Sequence, residues 1–196
     1  MNIQNSFFMT LLQRLQNFLC VILFLFPAVL PAKAQNMPQL TDPQIAQVAV
    51  TANKIDIDYA EVAKKKSKDA DVTNFAQTML NDHQAVINQA VALVTKLKVT
   101  PQESDFNKKL LADASKTKNT LNSKAGKAFD KAYINNEVAY HKAVISVIET
   151  ILIPQAQNSE LKDLLQNVLP ALRTHLEHAE MVQSKFNGHA KKMAGK

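Results

Sequence analysis

Residues 69–97 read DADVTNFAQTMLNDHQAVINQAVALVTKL and show a clear periodicity. Apolar side chains recur every three or four positions, at Val72, Phe75, Ala76, Met79, Val86, Ile87, Ala90, Val94 and Leu97. An α-helix has about 3.6 residues per turn, so this spacing places them on one face. Asp69 or Asp71 can cap the N-terminus, and Pro101 ends the stretch. The pattern predicts a long amphipathic helix with one buried face.

Three other segments, residues 41–67, 126–153 and 159–186, show the same spacing. In the first, Thr41 and Gln44 can form a capping box. The second stops before Pro154, and the third is capped by Ser159 and contains Pro170, which should kink it or remove one hydrogen bond. The more polar residues 103–122 predict a shorter helix across the bundle. We therefore expect an all-α four-helix bundle with an extra helix in the long connection between its second and third long helices.

The N-terminal segment has the features of a cleavable export signal. A polar start with Arg14 precedes an uncharged run over residues 18–30, which is shorter than the roughly 20 apolar residues that span a bilayer. The run is followed by Ala32-Lys33-Ala34, a pattern that signal peptidases cleave. An uncleaved amphipathic anchor is the alternative, but the run is apolar on all sides. We predict a signal peptide over residues 1–34, a helical domain over 35–196 with its core at about 40–187, and export of the mature protein.

Cleavage would change the chemistry of the chain. Cys20 is its one cysteine, so the mature protein would have no disulfide and no thiolate. The formal net charge would fall from +6 to +4, because Arg14 and Lys33 leave with the signal and no acidic residue does. The remaining lysines are spread over helical segments, which is typical of solvated faces. We expect no nucleic-acid partner.

Each long helix has a polar residue within its apolar face. These are Asp56, His83, His141 and His175, with Glu137 one turn before His141. All lie near the middle of their helices, so they should meet at one level of the bundle whichever way each helix runs. The chain therefore predicts a layer of imidazoles and carboxylate within the core.

Two interpretations of this layer remain open. One is a site for a transition-metal ion (zinc, iron or copper) or a small ligand, formed by Asp56, His83, Glu137, His141 and His175. The other is a buried polar network that fixes helix register. Four neighbouring polar residues are predicted to lie outside the site: Asp82 points about 100° from His83, Glu177 faces water, His178 lies near the edge of the face, and His189 is exposed in the basic tail.

Three segments resemble a known family. They are residues 75–83, with the pattern F-A-x-x-M-x-x-D-H, residues 129–133 leading to His141, and residues 169–176, with the pattern L-P-x-L-x-x-H-L. The chain is similar to the domain-of-unknown-function 4142 family of exported bacterial proteins. The resemblance covers about residues 40–187. It implies a ferritin-like bundle, a periplasmic or envelope location and no established activity, with a glutamate usually standing where this chain has Asp56.

Three functions follow as hypotheses: a metal- or ligand-binding module, a structural or interaction protein of the cell envelope, and a ferritin-like oxidase. Ferritin-like di-iron sites use Glu-x-x-His motifs, whereas Leu80 and Val138 stand three residues before His83 and His141. The oxidase is therefore disfavoured. No phosphate-binding loop, H-E-x-x-H or G-x-S-x-G motif is present in the sequence.

Overall fold

The computed structural model describes residues 38–194, with side chains up to residue 186. The predicted signal peptide, with Cys20 and the cleavage position at Ala34, lies outside the described residues. The side chain of His189 also lies outside them.

The described residues are helical almost throughout and contain no β-strand. The elements are α1 (Asp42–Lys66), α2 (Ala70–Lys96), α3 (Asp105–Asn122), α4 (Gly126–Val147), a π-helical turn (Ile148–Leu152), α5 (Ile153–Gln155) and α6 (Ser159–Ala194). None of the described helices combines the length and apolar character needed to cross a membrane.

The helices form a four-helix bundle with one crossover connection. Helix α3 runs beside α1 in the same direction, since the backbone N–H of Gln102 donates to Pro43 and Lys66 Nζ donates to the carbonyl of Leu121 at 3.2 Å. It thereby returns the chain to the end of the bundle where α4 begins. Helices α4 and α6 are antiparallel, and Gln183 Nε2 donates to Asn135 Oδ1 at 2.9 Å. This arrangement confirms the predicted ferritin-like bundle and its extra helix.

Helix ends follow the predicted signals in two places and depart from them in two. Asp69 caps α2 by accepting from the backbone N–H of Asp71 and Val72, and Gln44 Oε1 accepts from the N–H of Thr41 at 3.0 Å. The predicted stop before Pro154 is wrong. The helix widens into the π-helical turn and continues to Gln155, because Pro154 lies in the first turn of α5, where its missing N–H costs little.

The second departure is at the start of α6. Asn158, and not Ser159, caps this helix, with Oδ1 accepting from the N–H of Leu161 at 3.0 Å. Pro170 lies within α6 as predicted.

The core has two parts. The aromatic cluster lies towards the start of α4 and includes Tyr59, Phe75, Met79, Phe129, Tyr133 and Val182. The aliphatic cluster lies towards the start of α6, and its buried members are Leu40, Ile45, Val48, Ile145, Ile148, Leu152, Ala156, Leu161, Leu165 and Leu172. Along α4, His141 falls between Val138 of the aromatic cluster and Ile145 of the aliphatic cluster. The predicted polar residues therefore lie where the two clusters meet.

Candidate metal centre

The structure brings all five predicted site residues into one buried layer, which we call the polar layer. Asp56 comes from α1, His83 from α2, Glu137 and His141 from α4, and His175 from α6. The exposed fractions are 0% for both carboxylic residues and between 1% and 6% for the histidines. The geometry thus brings residues from four helices to one level.

Within this layer, His83, His141 and His175 form a nearly equilateral triangle. Their ring centroids are 5.8 Å apart for His83 and His141, 5.3 Å for His83 and His175, and 5.5 Å for His141 and His175. One potential ligand atom from each residue lies within 4.8 Å of those of the other two. We refer to these residues as the histidine triangle.

The hydrogen bonds at one nitrogen of each ring fix its tautomer. His83 Nδ1 is 2.7 Å from Asn53 Oδ1, and the amide nitrogen of Asn53 donates to the carbonyl of Ala49, so the oxygen faces the ring and accepts. His141 Nδ1 donates to the backbone carbonyl of Glu137 at 3.0 Å. His175 Nε2 donates to Asp82 Oδ2 at 2.9 Å. Each ring therefore has its proton on the nitrogen that makes this hydrogen bond.

The opposite nitrogens have no hydrogen-bond partner. His83 Nε2, His141 Nε2 and His175 Nδ1 are all buried and unpaired. A buried polar atom without a partner costs about 1–3 kcal/mol, and native cores contain few of them. Three such lone pairs in one triangle form the arrangement that a bound cation would satisfy. Metal-binding histidines commonly donate their other N–H to a carboxylate or a carbonyl in the same way.

Asp56 adds an oxygen donor to the triangle. Its Oδ2 lies 3.3 Å from His83 Nε2 and 3.6 Å from His141 Nε2, and neither of its oxygens has a hydrogen-bond partner. Burial raises the pKa of the Asp56 carboxyl to about 8. A neutral carboxyl is the form expected at neutral pH when no cation is bound. Its single proton can be donated to only one imidazole nitrogen, which leaves at least two of the three lone pairs without a donor.

Burial also keeps the imidazoles of His83 and His141 neutral. It lowers the pKa of His83 to about 3, with a smaller effect from His141 and His175. Burial likewise lowers the pKa of His141 to about 4. Neutral imidazole is the form that binds metals, so the lone pairs of His83 and His141 remain available at physiological pH.

Glu137 belongs to a second group of potential ligands with Asp56 and His141. Burial, followed by the nearby Asp56, raises the pKa of Glu137 well above its usual range. Its Oε2 lies 3.7 Å from His141 Nδ1, but that nitrogen is hydrogen-bonded to a carbonyl. Because Nε2 is the free nitrogen of His141, it can bind an ion in only one of the two groups.

Sequence reasoning missed two residues beside the triangle. Asp82 was set aside because it points away from His83, yet it accepts a hydrogen bond from His175 on the neighbouring helix. Asn53 lies one turn before Asp56, and no pattern singled it out. The other predictions in this region hold: Glu177 is exposed, and His178 is half-buried against the ring of Phe75, with a centroid distance of 5.1 Å.

A cavity of about 510 Å³ adjoins the triangle. Its walls are mostly apolar and continue from the polar layer along the aliphatic cluster to Ile148, Leu152 and Leu165. The polar layer therefore has a packed aromatic side and a hollow aliphatic side.

The family model of DUF4142, a domain of unknown function, matches residues 27–182. The chain belongs to the DUF4142 family. The expectation from the three sequence segments is thereby confirmed. No curated protein matches this DUF4142 chain.

Solved structures of low sequence identity share the fold. A DUF305 protein from Streptomyces coelicolor has a TM-score of 0.62 at 9% identity, covering 74% of this chain and 92% of its own. A DUF305 fragment from Deinococcus radiodurans has a TM-score of 0.63 at 14% identity, covering 76% and 99%. CopM in its Cu(II)-bound form has a TM-score of 0.57 at 12% identity, covering 76% of this chain and 99% of its own. At these identities the likeness shows the fold alone.

Proposed function

We propose that this protein is an exported helical bundle that binds one transition-metal ion at the histidine triangle. The ligands would be His83 Nε2, His141 Nε2 and His175 Nδ1, with a carboxylate oxygen of Asp56 in the fourth position. The observation that carries the proposal is the set of three unpaired, converging imidazole nitrogens. Glu137 would lie beside the ion and hold His141 through its backbone carbonyl.

The register-network hypothesis makes a different prediction for these atoms. A network that only fixes register would pair its buried polar groups with one another, because each unpaired group costs stability. Here the outer nitrogens are paired, the inner nitrogens of His83 and His141 share the single carboxyl of Asp56, and the inner nitrogen of His175 has no partner. This distribution favours a cation site.

The donor set narrows the choice of metal. Three imidazoles and one carboxylate suit zinc and copper, and also iron, whereas magnesium and calcium prefer oxygen ligands. CopM, which shares the fold, is described in a Cu(II)-bound form. Copper and zinc are therefore the first ions to test, with iron next.

The proposed location rests on the N-terminal sequence. The uncharged run over residues 18–30 and the Ala32-Lys33-Ala34 pattern support export and cleavage near Ala34. The structurally similar protein from Streptomyces coelicolor is described as a candidate secreted protein. An envelope protein partner is a further hypothesis, which a pull-down from envelope extract would test.

Metal titration of the purified mature protein tests the site. After chelation and buffer exchange, Cu(II) and Zn(II) are added, and calorimetry is combined with elemental analysis. We expect one ion per chain. The double variant His83→Ala/His175→Ala should weaken binding by more than the roughly 100-fold that loss of an outer hydrogen-bond partner causes.

His178→Ala is the matched control, because His178 lies on α6 one turn from His175 but outside the triangle. Its affinity should equal that of the wild type. Circular dichroism checks that each variant is folded. Substoichiometric metal in the reloaded wild type, or equal affinities for the double variant and the wild type, would overturn the proposal.

A further inference from the structure

The cavity beside the histidine triangle is elongated. On α6 its lining extends from His175 back to Leu164, and on α4 it continues from His141 to the π-helical turn at Ile148 and Leu152. Eleven residues of helix rise about 16 Å. The cavity therefore runs along the bundle axis from the polar layer into the aliphatic cluster.

Small side chains keep this space open. Alanines line the cavity from several helices, including Ala49, Ala52, Ala90, Ala143 and Ala171. Native cores contain few voids larger than a water molecule, and larger apolar residues at these positions would fill this one. Its volume of about 510 Å³ lies within the usual range for small-molecule pockets, which is about 300–1,000 Å³.

The two ends of the cavity differ in chemistry. Along most of its length the walls are aliphatic, and such a space is poorly hydrated. At the polar layer, Asp56, His83, His141 and His175 line it, and these residues carry the unpaired buried atoms. A ligand that matches both ends has an apolar body and a single polar head.

The cavity also reaches the surface. Ala85 and Gln89 of α2 and Ala171 of α6 are exposed and yet line it. Ala139 and Ala143 of α4 are also exposed lining residues, so the cavity opens on more than one side of the bundle. A narrow molecule could enter there without unfolding the bundle.

We propose that this cavity binds an alkyl-chain molecule with one oxygen-bearing head group. The chain lies against the aliphatic cluster, and the oxygen faces the histidine triangle. In the metal-free protein, a hydroxyl head donates to one of the free imidazole nitrogens. With an ion in the triangle, the same oxygen is placed to bind it. The inference goes beyond the metal site and stands without it, because the apolar walls are the same in either case and the imidazole nitrogens are free in the metal-free protein.

A series of straight-chain alcohols tests the proposal in the metal-free protein. Binding of butan-1-ol, hexan-1-ol, octan-1-ol and decan-1-ol is measured by calorimetry. Each added methylene should strengthen binding about fourfold until the chain fills the cavity, as expected for burial of a methylene group. The alkane of equal length, which has no hydroxyl, should bind more weakly than its alcohol.

Val168→Phe fills the cavity from α6, two turns before His175. We expect it to weaken decan-1-ol binding at least tenfold while metal affinity at the triangle stays within about twofold of the wild type. Val91→Phe is the control, because Val91 is exposed and does not line the cavity, and its binding should be unchanged. If Val168→Phe does not fold, Ala49→Leu fills the same space from α1.

The metal proposal and the cavity proposal can be overturned independently of each other. If the alcohols bind with the expected dependence on chain length but the wild type takes up no metal, the cavity proposal holds and the metal proposal falls. The cavity proposal is overturned if metal binds but the affinity for the alcohols does not depend on their chain length. It is also overturned if Val168→Phe binds decan-1-ol as tightly as the wild type. Equal binding of the alkane and its alcohol would overturn the assigned position of the head group.

Discussion

The aromatic cluster and the aliphatic cluster lie on opposite sides of the polar layer and fill space differently. In the aromatic cluster Phe75, Phe129 and Tyr133 are fully buried, and the rings of Phe129 and Tyr133 stack with centroids 6.2 Å apart. In the aliphatic cluster the buried members have no aromatic ring, and the cavity of about 510 Å³ extends along them. The same four-helix scaffold thus combines a tightly packed half with a half that has room for a ligand.

This difference separates the part of the bundle that mainly stabilises the fold from the part that has space for a ligand. An open cavity forfeits dispersion contacts, and so the aromatic cluster must supply a larger share of the packing free energy. The π-helical turn lies in the hollow half, at Ile148–Leu152, and single π turns are frequent at functional sites. We therefore expect mutations to affect stability mainly in one half and ligand binding mainly in the other.

The largest effect should come from truncating the packed half. Phe75→Ala removes a ring with an exposed fraction of 0% that contacts Tyr133 and His178. Large-to-small changes of this kind cost about 3–5 kcal/mol of unfolding free energy. Urea denaturation of the metal-free protein measures the loss.

Phe106→Ala is the matched comparison, because Phe106 is half-buried and lines the cavity. Its ring already lacks neighbours on one side, so the loss should be less than half that of Phe75→Ala. Equal losses for the two variants would mean that the two halves contribute equally to the unfolding free energy. The expected difference between the two clusters would then be wrong.

A smaller effect, on metal affinity, is expected from a substitution of Asp82, which borders the cavity at the polar layer. Asp82→Asn removes the charge that accepts the hydrogen bond from His175 Nε2 at 2.9 Å. The imidazole then becomes a weaker and less well-oriented ligand, and metal affinity should fall about 10- to 100-fold. Calorimetric titration with Cu(II) or Zn(II) gives the change.

The control for this change is Asp58→Asn. Asp58 is also partly exposed, but it pairs with Lys118 on α3 at 2.8 Å, away from the triangle. This variant should bind metal as the wild type does. An affinity loss that is the same for both variants would show that general surface charge, and not the orientation of His175, is responsible.

The sequence was sufficient to predict the helices and the height of the site. Helical periodicity determines which face of each helix is buried, and counting from the helix ends placed Asp56, His83, His141 and His175 at one level. The nitrogen that each ring presents could not be predicted, because it depends on partners from other turns or helices, such as Asn53 and Asp82. The cavity could not be predicted from the sequence either, because its size depends on the distances between helices and not on the pattern along any one of them.

The smallest predicted effect is a pH dependence of the metal-free protein. Burial raises the pKa of Asp56 from its ordinary 3.8 to about 8, so the folded state holds a proton that the unfolded state has released. Stability from this source is present at low pH and is lost as the pH rises towards 8. At pH 6.5 an unfolded imidazole is still half protonated, whereas the buried His83 and His141 are neutral in the folded state. These two residues therefore offset part of the fall near pH 6.5 and little of it close to pH 8. We expect Asp56 to lower the unfolding free energy by about 1–2 kcal/mol over this range, measured by urea denaturation of the wild type and of Asp56→Asn.

Metal should remove this dependence, because a cation replaces the proton at Asp56 and favours the ionised carboxyl. Asp56→Asn carries no titratable proton, so its metal-free stability should fall less steeply over the same range. Glu137, whose pKa is also raised by burial, accounts for any slope that remains in this variant. Metal-free stability that stays constant or rises over this pH range would mean that the carboxyls of the polar layer are already ionised and paired. The polar layer would then resemble the register network more than an open cation site.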